Sequence, residues 1–167
     1  VIIREANNKS KALDSSFIKD LHYLIFFNAQ RVSPQLARNP IGAYRTNEVR
    51  IAGASVELTL PHKISQEIEN LLYRFPSNQL TLEQIAKFHA LFERIHPFSD
   101  GNGRTGRLVM SFQCIQNDWI PPLIENENRS KYLECLNVCQ NDKGAKQFVS
   151  FLEYCQERSL ELIGQTQ

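Results

Sequence analysis

Apolar positions recur at spacings of three and four along most of the chain, the period of a helix with one buried face. After the N-capping pair Asp14-Ser15, residues Phe17, Leu21, Leu24 and Ile25 predict a helix from about Ser16 to Gln30. Residues 31–43 carry Pro34, Pro40 and Gly42 and read as a loop. From Tyr44 to Leu60 the period falls to two, through Val49, Ile51, Val56, Leu58 and Leu60. That predicts a short hairpin turning near Ala52-Gly53-Ala54 and closed by Pro61. Ile64, Ile68, Leu71, Leu72 and Phe75 form the stripe of a second helix. Thr81-Leu82-Glu83-Gln84 is a capping box opening a third, which carries Ile85, Phe88, Leu91, Phe92 and Ile95 and is stopped by Pro97. A fourth is predicted from Arg104 to about Asn117 and two more near 128–140 and 145–163, after the turn at Pro121-Pro122. No repeat or linker divides the chain. It reads as a single mostly α domain over residues 1–167, with one β-hairpin.

Composition narrows the function. With 167 residues and 42% hydrophobic content, the chain can bury a sizeable core. The net charge of +1 and the lack of a basic stripe disfavour a nucleic-acid binder. No apolar run approaches the ~18–20 residues that span a bilayer, so no membrane role is expected. Cys114, Cys135, Cys139 and Cys155 lie in helical stretches without a CxxC pair and read as reduced, buried residues of a cytoplasmic protein. The chain opens at Val1 and reads as a piece of something longer, so the missing leader carries no weight.

The chemistry concentrates in His96-Pro97-Phe98-Ser99-Asp100-Gly101-Asn102-Gly103-Arg104-Thr105-Gly106-Arg107, between two apolar-faced helices. Gly101-Asn102-Gly103 is a turn ending at a helix start, where successive unpaired N–H groups and the positive helix end favour an anion. Arg104 and Arg107 project from one side of the new helix's first turns. Cations there oppose the helix dipole unless a polyphosphate compensates them. Asp100 is placed to hold Mg²⁺ against phosphate oxygens, or else to cap the helix. His96, neutral, can accept a proton from an attacking hydroxyl. Phe98 alternates with both and is expected in the core.

Three other patterns are weaker. Gly101 to Gly106 spells GxGxxG, but a helix and Pro97 precede it where the dinucleotide fingerprint requires a strand. A P-loop fails for the same reason, and because Arg107 stands where Lys is required. His89, Glu93 and His96, at i, i+4 and i+7, are a poor zinc set lacking the HExxH order.

The twelve residues 96–107 match the signature HxFx(D/E)GNGRxxR at every defined position, and in this the chain resembles the Fic (Fido) family. Tyr44-Arg45-Thr46 and the hairpin before Pro61 are similar to the family's flap, and Arg129-Ser130-x-Tyr132 to the segment after its core helices. The resemblance implies a Fic-type helical bundle that transfers AMP from ATP to a Ser, Thr or Tyr hydroxyl of a target protein. His96 would be the general base and Asp100 the Mg²⁺ ligand. Gly101, Asn102 and Gly103 would cradle phosphates, and Arg104 and Arg107 would bind further along the triphosphate. The flap residues Thr46, Asn47, Glu48, Val49, Arg50 and Ile51 would hold the target's extended segment, while Tyr132 and Gln140 fall at the adenine pocket. The family's inhibitory pattern [S/T]xxxE[G/N] is met by Ser65 to Asn70, but after the flap, where the family does not place it. An inhibitory helix or antitoxin-like partner is therefore expected outside this chain. Two alternatives stay open: a regulatory module that binds nucleotide or a partner without transfer, and a Fic enzyme that moves another phosphate-containing group.

Overall fold

The computed structural model describes residues 2–32, 40–50, 57–140 and 144–164. Seven α-helices occur among them: α1 (Ile2–Asn7), α2 (Ser15–Val32), α3 (Ile64–Arg74), α4 (Leu82–Ile95), α5 (Asn102–Gln116), α6 (Arg129–Gln140) and α7 (Ala145–Gly164). The helical reading holds, with two differences. The six-residue α1 is too short to leave a periodic signal, yet its Ala6 is fully buried and the helix packs on α5. Helix α5 begins at Asn102 rather than Arg104, because Gly101 in the left-handed conformation makes the start. The predicted hairpin turn lies in 51–56, outside the described residues. Its flanks at 44–50 and 57–60 form no strand among the described residues.

Helix α4 is the hub. Its capping box is present: the Gln84 N–H donates to Thr81 Oγ1 at 3.3 Å, and the Thr81 N–H donates to Gln84 Oε1 at 2.9 Å. Ile85, Ala86, Phe88, His89, Ala90, Phe92 and Glu93 are all buried, so α4 is covered on nearly every side, by α3, α5, α6 and α7. Phe88, Phe92, Phe98, Phe112 and Phe148 are its largest fully buried neighbours and members. Asn117 locks the entry to α4 onto the end of α5. Its Oδ1 accepts from Leu80 N–H at 2.7 Å, and its amide nitrogen donates to Ser77 O at 2.9 Å. The loop joining α4 to α5 thus leaves directly from the buried central helix. Among the described residues no helix is long and apolar enough to cross a membrane.

Candidate active site

Pro97 cannot continue α4, and the chain leaves it through His96 in the left-handed conformation, φ 51° and ψ 59°. The His96 N–H still donates to Phe92 O at 3.0 Å, so the last turn is closed. Phe98 then drops into the core, fully buried, and stacks on the His22 ring at 3.9 Å with an interplanar angle of 12°. Asn102 closes the loop on itself. Its Oδ1 accepts from Phe98 N–H at 2.8 Å, and its Nδ2 donates to Phe98 O at 2.7 Å. The Asn102 side chain is therefore committed to the loop, and what it offers outward is its backbone N–H.

Gly101 is required twice over. Its φ is +77°, and an added Cβ would run into the Phe26 ring. Gly101→Ala is expected to cost about 1–3 kcal/mol in urea unfolding, from the left-handed backbone and the overpacking together.

The first hydrogen bond inside α5 runs from Thr105 N–H to Gly101 O, at 2.9 Å. The N–H groups of Asn102, Gly103 and Arg104 precede it and have no acceptor among the described residues. Arg107 is half-buried, with no carboxylate within 4.0 Å of its guanidinium among the described residues. One of its terminal nitrogens lies beside Gly103, 3.3 Å from where a Cβ would stand. Arg104 is exposed, rests over the Phe26 ring at 4.5 Å and reaches Asp100 Oδ2 at 3.5 Å. The three donors and the two cations all lie within the first two turns of α5, where the helix end and the guanidiniums both favour an anion.

Asp100 uses Oδ1 to accept from Gly101 N–H at 2.6 Å, and its side chain is about half exposed (55%). Among the described residues no group of three His, Cys, Asp or Glu side chains could enclose a metal ion. A single half-exposed carboxylate fits Mg²⁺, which keeps several waters and takes few protein ligands.

His96 Nδ1 lies 3.3 Å from Glu93 O, and a carbonyl can only accept, so Nδ1 carries the proton. Nε2 is left with a lone pair. Burial lowers the His96 pKa, Arg45 lowers it further, and the Glu93 carbonyl and Asp100 oppose the shift. The imidazole is therefore neutral at neutral pH.

Behind the loop is a buried polar cluster that includes His89 and Glu93, two members of the weak zinc pattern. His89 and Glu93, one turn apart on α4, face Gly106 of α5, where any Cβ would meet the Glu93 carboxyl. Glu93 Oε1 has no hydrogen-bond partner among the described residues. Burial raises the Glu93 pKa to about 7 against the pull of Arg107, and lowers that of His89 to about 4. His89 Nε2 lies 2.7 Å from the Tyr132 hydroxyl. His89 and Glu93 thus share the Gly106 side of α4, while His96 Nδ1 turns to the Glu93 carbonyl. Tyr132 is buried with its hydroxyl on His89, and Gln140 is buried with its amide donating to Ala90 O at 3.2 Å.

Two more residues hold the loop from outside it. The Gly42 N–H donates to His22 Nδ1 at 2.9 Å, which leaves Nε2–H to donate to Asp100 O at 3.0 Å. Arg45, only 2% exposed, sends its guanidinium to the end of α4. The sequence places His22 on the buried side of α2 with Ile18 and Leu21 and places Arg45 in the flap-like segment, but it does not show what either side chain bonds to. In the flap, Thr46, Asn47, Glu48 and Arg50 are exposed and Val49 is half-buried, while Ile51 lies outside the described residues. Glu69, the acid of the inhibitory-like pattern, is exposed on α3 and influences Tyr44 electrostatically.

The bend between α4 and α5 thus presents three N–H groups without an acceptor among the described residues, two arginines and a neutral histidine. The Fic/DOC family model matches residues 12–114, more than half of the chain, and the chain belongs to that family. It is 42% identical over 77 residues to a protein adenylyltransferase Fic of Aedes aegypti, covering 46% of this chain and 15% of that protein. It is 32% identical over 126 residues to a protein adenylyltransferase Fic of Drosophila mojavensis, covering 72% of this chain and 24% of that one. The chain thus spans less than a quarter of each of these relatives. A Fic-domain-containing signalling protein of Bacteroides thetaiotaomicron superposes with a TM-score of 0.76 at 28% identity, covering 96% of this chain and 66% of that structure.

Proposed function

We propose that this domain is a protein adenylyltransferase that moves AMP from ATP to a hydroxyl of a target protein. The observation that carries the reading is the 96–107 bend, with free N–H groups at one end and a neutral imidazole at the other. The naming of the insect relatives as protein adenylyltransferases supports it. The N–H groups of Asn102, Gly103 and Arg104 bind phosphate oxygens, and the Arg104 and Arg107 guanidiniums neutralise charge further along the chain. Asp100 would hold Mg²⁺, which when bound would offset negative charge on the phosphates. The target hydroxyl forms a bond to the α-phosphorus, the bond to the bridging oxygen breaks, and pyrophosphate leaves. His96 Nε2 takes the hydroxyl proton.

The target segment docks on the flap, along Thr46 to Ile51, as an extended strand. The four cysteines are free and buried, which supports a reducing, cytoplasmic setting. Restraint of the activity falls to an inhibitory helix or antitoxin-like partner outside this chain.

The test is mass spectrometry of lysate proteins incubated with the domain, ATP and Mg²⁺. A peptide mass gain of one AMP is expected; a gain of phosphate alone, or none, would refute the reading. Arg107→Ala removes a charge-assisted contact worth about 1.5–3 kcal/mol. Calorimetry is therefore expected to show Mg-ATP affinity falling roughly 10- to 150-fold.

A further inference from the structure

The last carbonyls of α4 have no N–H partners inside the helix, and the chain leaves it through His96 in the left-handed conformation. Arg45 supplies the donors. Its Nε–H donates to His96 O at 2.7 Å, and one terminal nitrogen reaches Ile95 O at 3.4 Å. Its own backbone N–H donates to Pro97 O at 2.9 Å. A cation at a helix C-terminus is favoured by the helix dipole, and more so away from water. The same guanidinium grips both arms of the flap, donating to Asn47 O at 3.0 Å and to Thr59 O at 2.5 Å. Every one of these acceptors is a main-chain carbonyl. No carboxylate within 4.0 Å neutralises Arg45 among the described residues.

The geometry points to Arg45 as a positioning residue that makes the flap and the His96 backbone one mechanical unit. Its planar fork joins the arms that receive the target to the three consecutive residues, Ile95 to Pro97, that set the direction of the imidazole. Settling a peptide on the flap therefore stiffens the base, and a flap that opens takes the base out of line. Lysine cannot replace it, because one ammonium cannot reach four carbonyls lying in different directions. The coupling is a property of the free protein; only its effect on transfer rests on the adenylyltransferase reading.

Hydrogen exchange by mass spectrometry on the whole domain, wild type against Arg45→Lys, tests it. The expected result is exchange rising at least about tenfold in peptides covering both 44–50 and 94–98, with α6 and α7 unchanged. Exchange rising in the flap alone would overturn the coupling. In the transfer assay Arg45→Lys is expected to lower kcat by about tenfold or more while KM for ATP stays within about threefold. Equal loss in both, or none, would count against positioning. If Arg45→Lys does not fold, the wild type suffices, read by NMR: the Arg45 Nε–H and the Arg45 and His96 amide protons are expected to exchange at one common rate. An Nε–H exchanging a hundredfold faster than those amides would overturn the proposal. A wild type with this common rate but no AMP transfer would sink the adenylyltransferase reading and leave the coupling standing.

Discussion

Replacing His96 by alanine is expected to lower AMP transfer by about 10²- to 10⁴-fold, the range for removing a positioned general base. The reason is geometric before it is electrostatic. Nδ1 is committed to the Glu93 carbonyl, so only Nε2 is available, and its lone pair is the basic one. Because burial holds the pKa below 6.5, the base is already unprotonated at neutral pH. The acid limb of the pH–rate profile should accordingly lie below the ordinary histidine value, and His96→Ala should erase it. The variant leaves the N–H donors and both arginines in place, so Mg-ATP affinity by calorimetry is expected to stay within about threefold. Labelling by the variant equal to wild type would remove His96 from the chemistry.

The second large effect concerns stability. Glu93 is raised from 4.5 to about 7 by burial, against Arg107. The folded state therefore holds a proton that the unfolded chain gives up. This contribution is fully present below pH 4.5 and is lost as pH rises through about 7. At 1.36 kcal/mol per unit, the wild type is expected to lose roughly 3 kcal/mol relative to Glu93→Gln between pH 4.5 and pH 8. His89 has the opposite sign, since its lowered pKa withdraws stability as pH falls from 6.5 through about 4. It is common to both proteins and drops out of the difference. Urea unfolding of both proteins at pH 5 and pH 8 reads the effect directly; parallel pH dependences would show that Glu93 is already ionised in the fold.

Most of the helical frame was legible because burial on one helix face writes a period into the sequence. The capping box at Thr81 and the stop at Pro97 were equally readable, since both depend on neighbours a few residues away. The bend at 96–107 was legible as chemistry for the same reason: its donors, cations and acid are contiguous. What holds that bend was not. His22 and Arg45 reach it from 78 and 51 residues away, by bonds to main-chain carbonyls that leave no pattern in side-chain type. The fate of Asn102 was hidden for a related reason. Its amide looked free for phosphate in a linear motif, and only the fold shows it spent on Phe98. Tyr132 and Gln140 likewise read as pocket residues by position, and only packing reveals their polar groups turned to His89 and Ala90.

The most direct measurement is a crystal of the domain soaked with Mg²⁺ and a non-hydrolysable ATP analogue. The expected density places phosphate oxygens on the N–H groups of Asn102, Gly103 and Arg104, with the metal on Asp100 and His96 Nε2 facing the α-phosphorus. A triphosphate bound elsewhere, or an unoccupied bend at saturating nucleotide, would contradict the assignment of this loop as the nucleotide site.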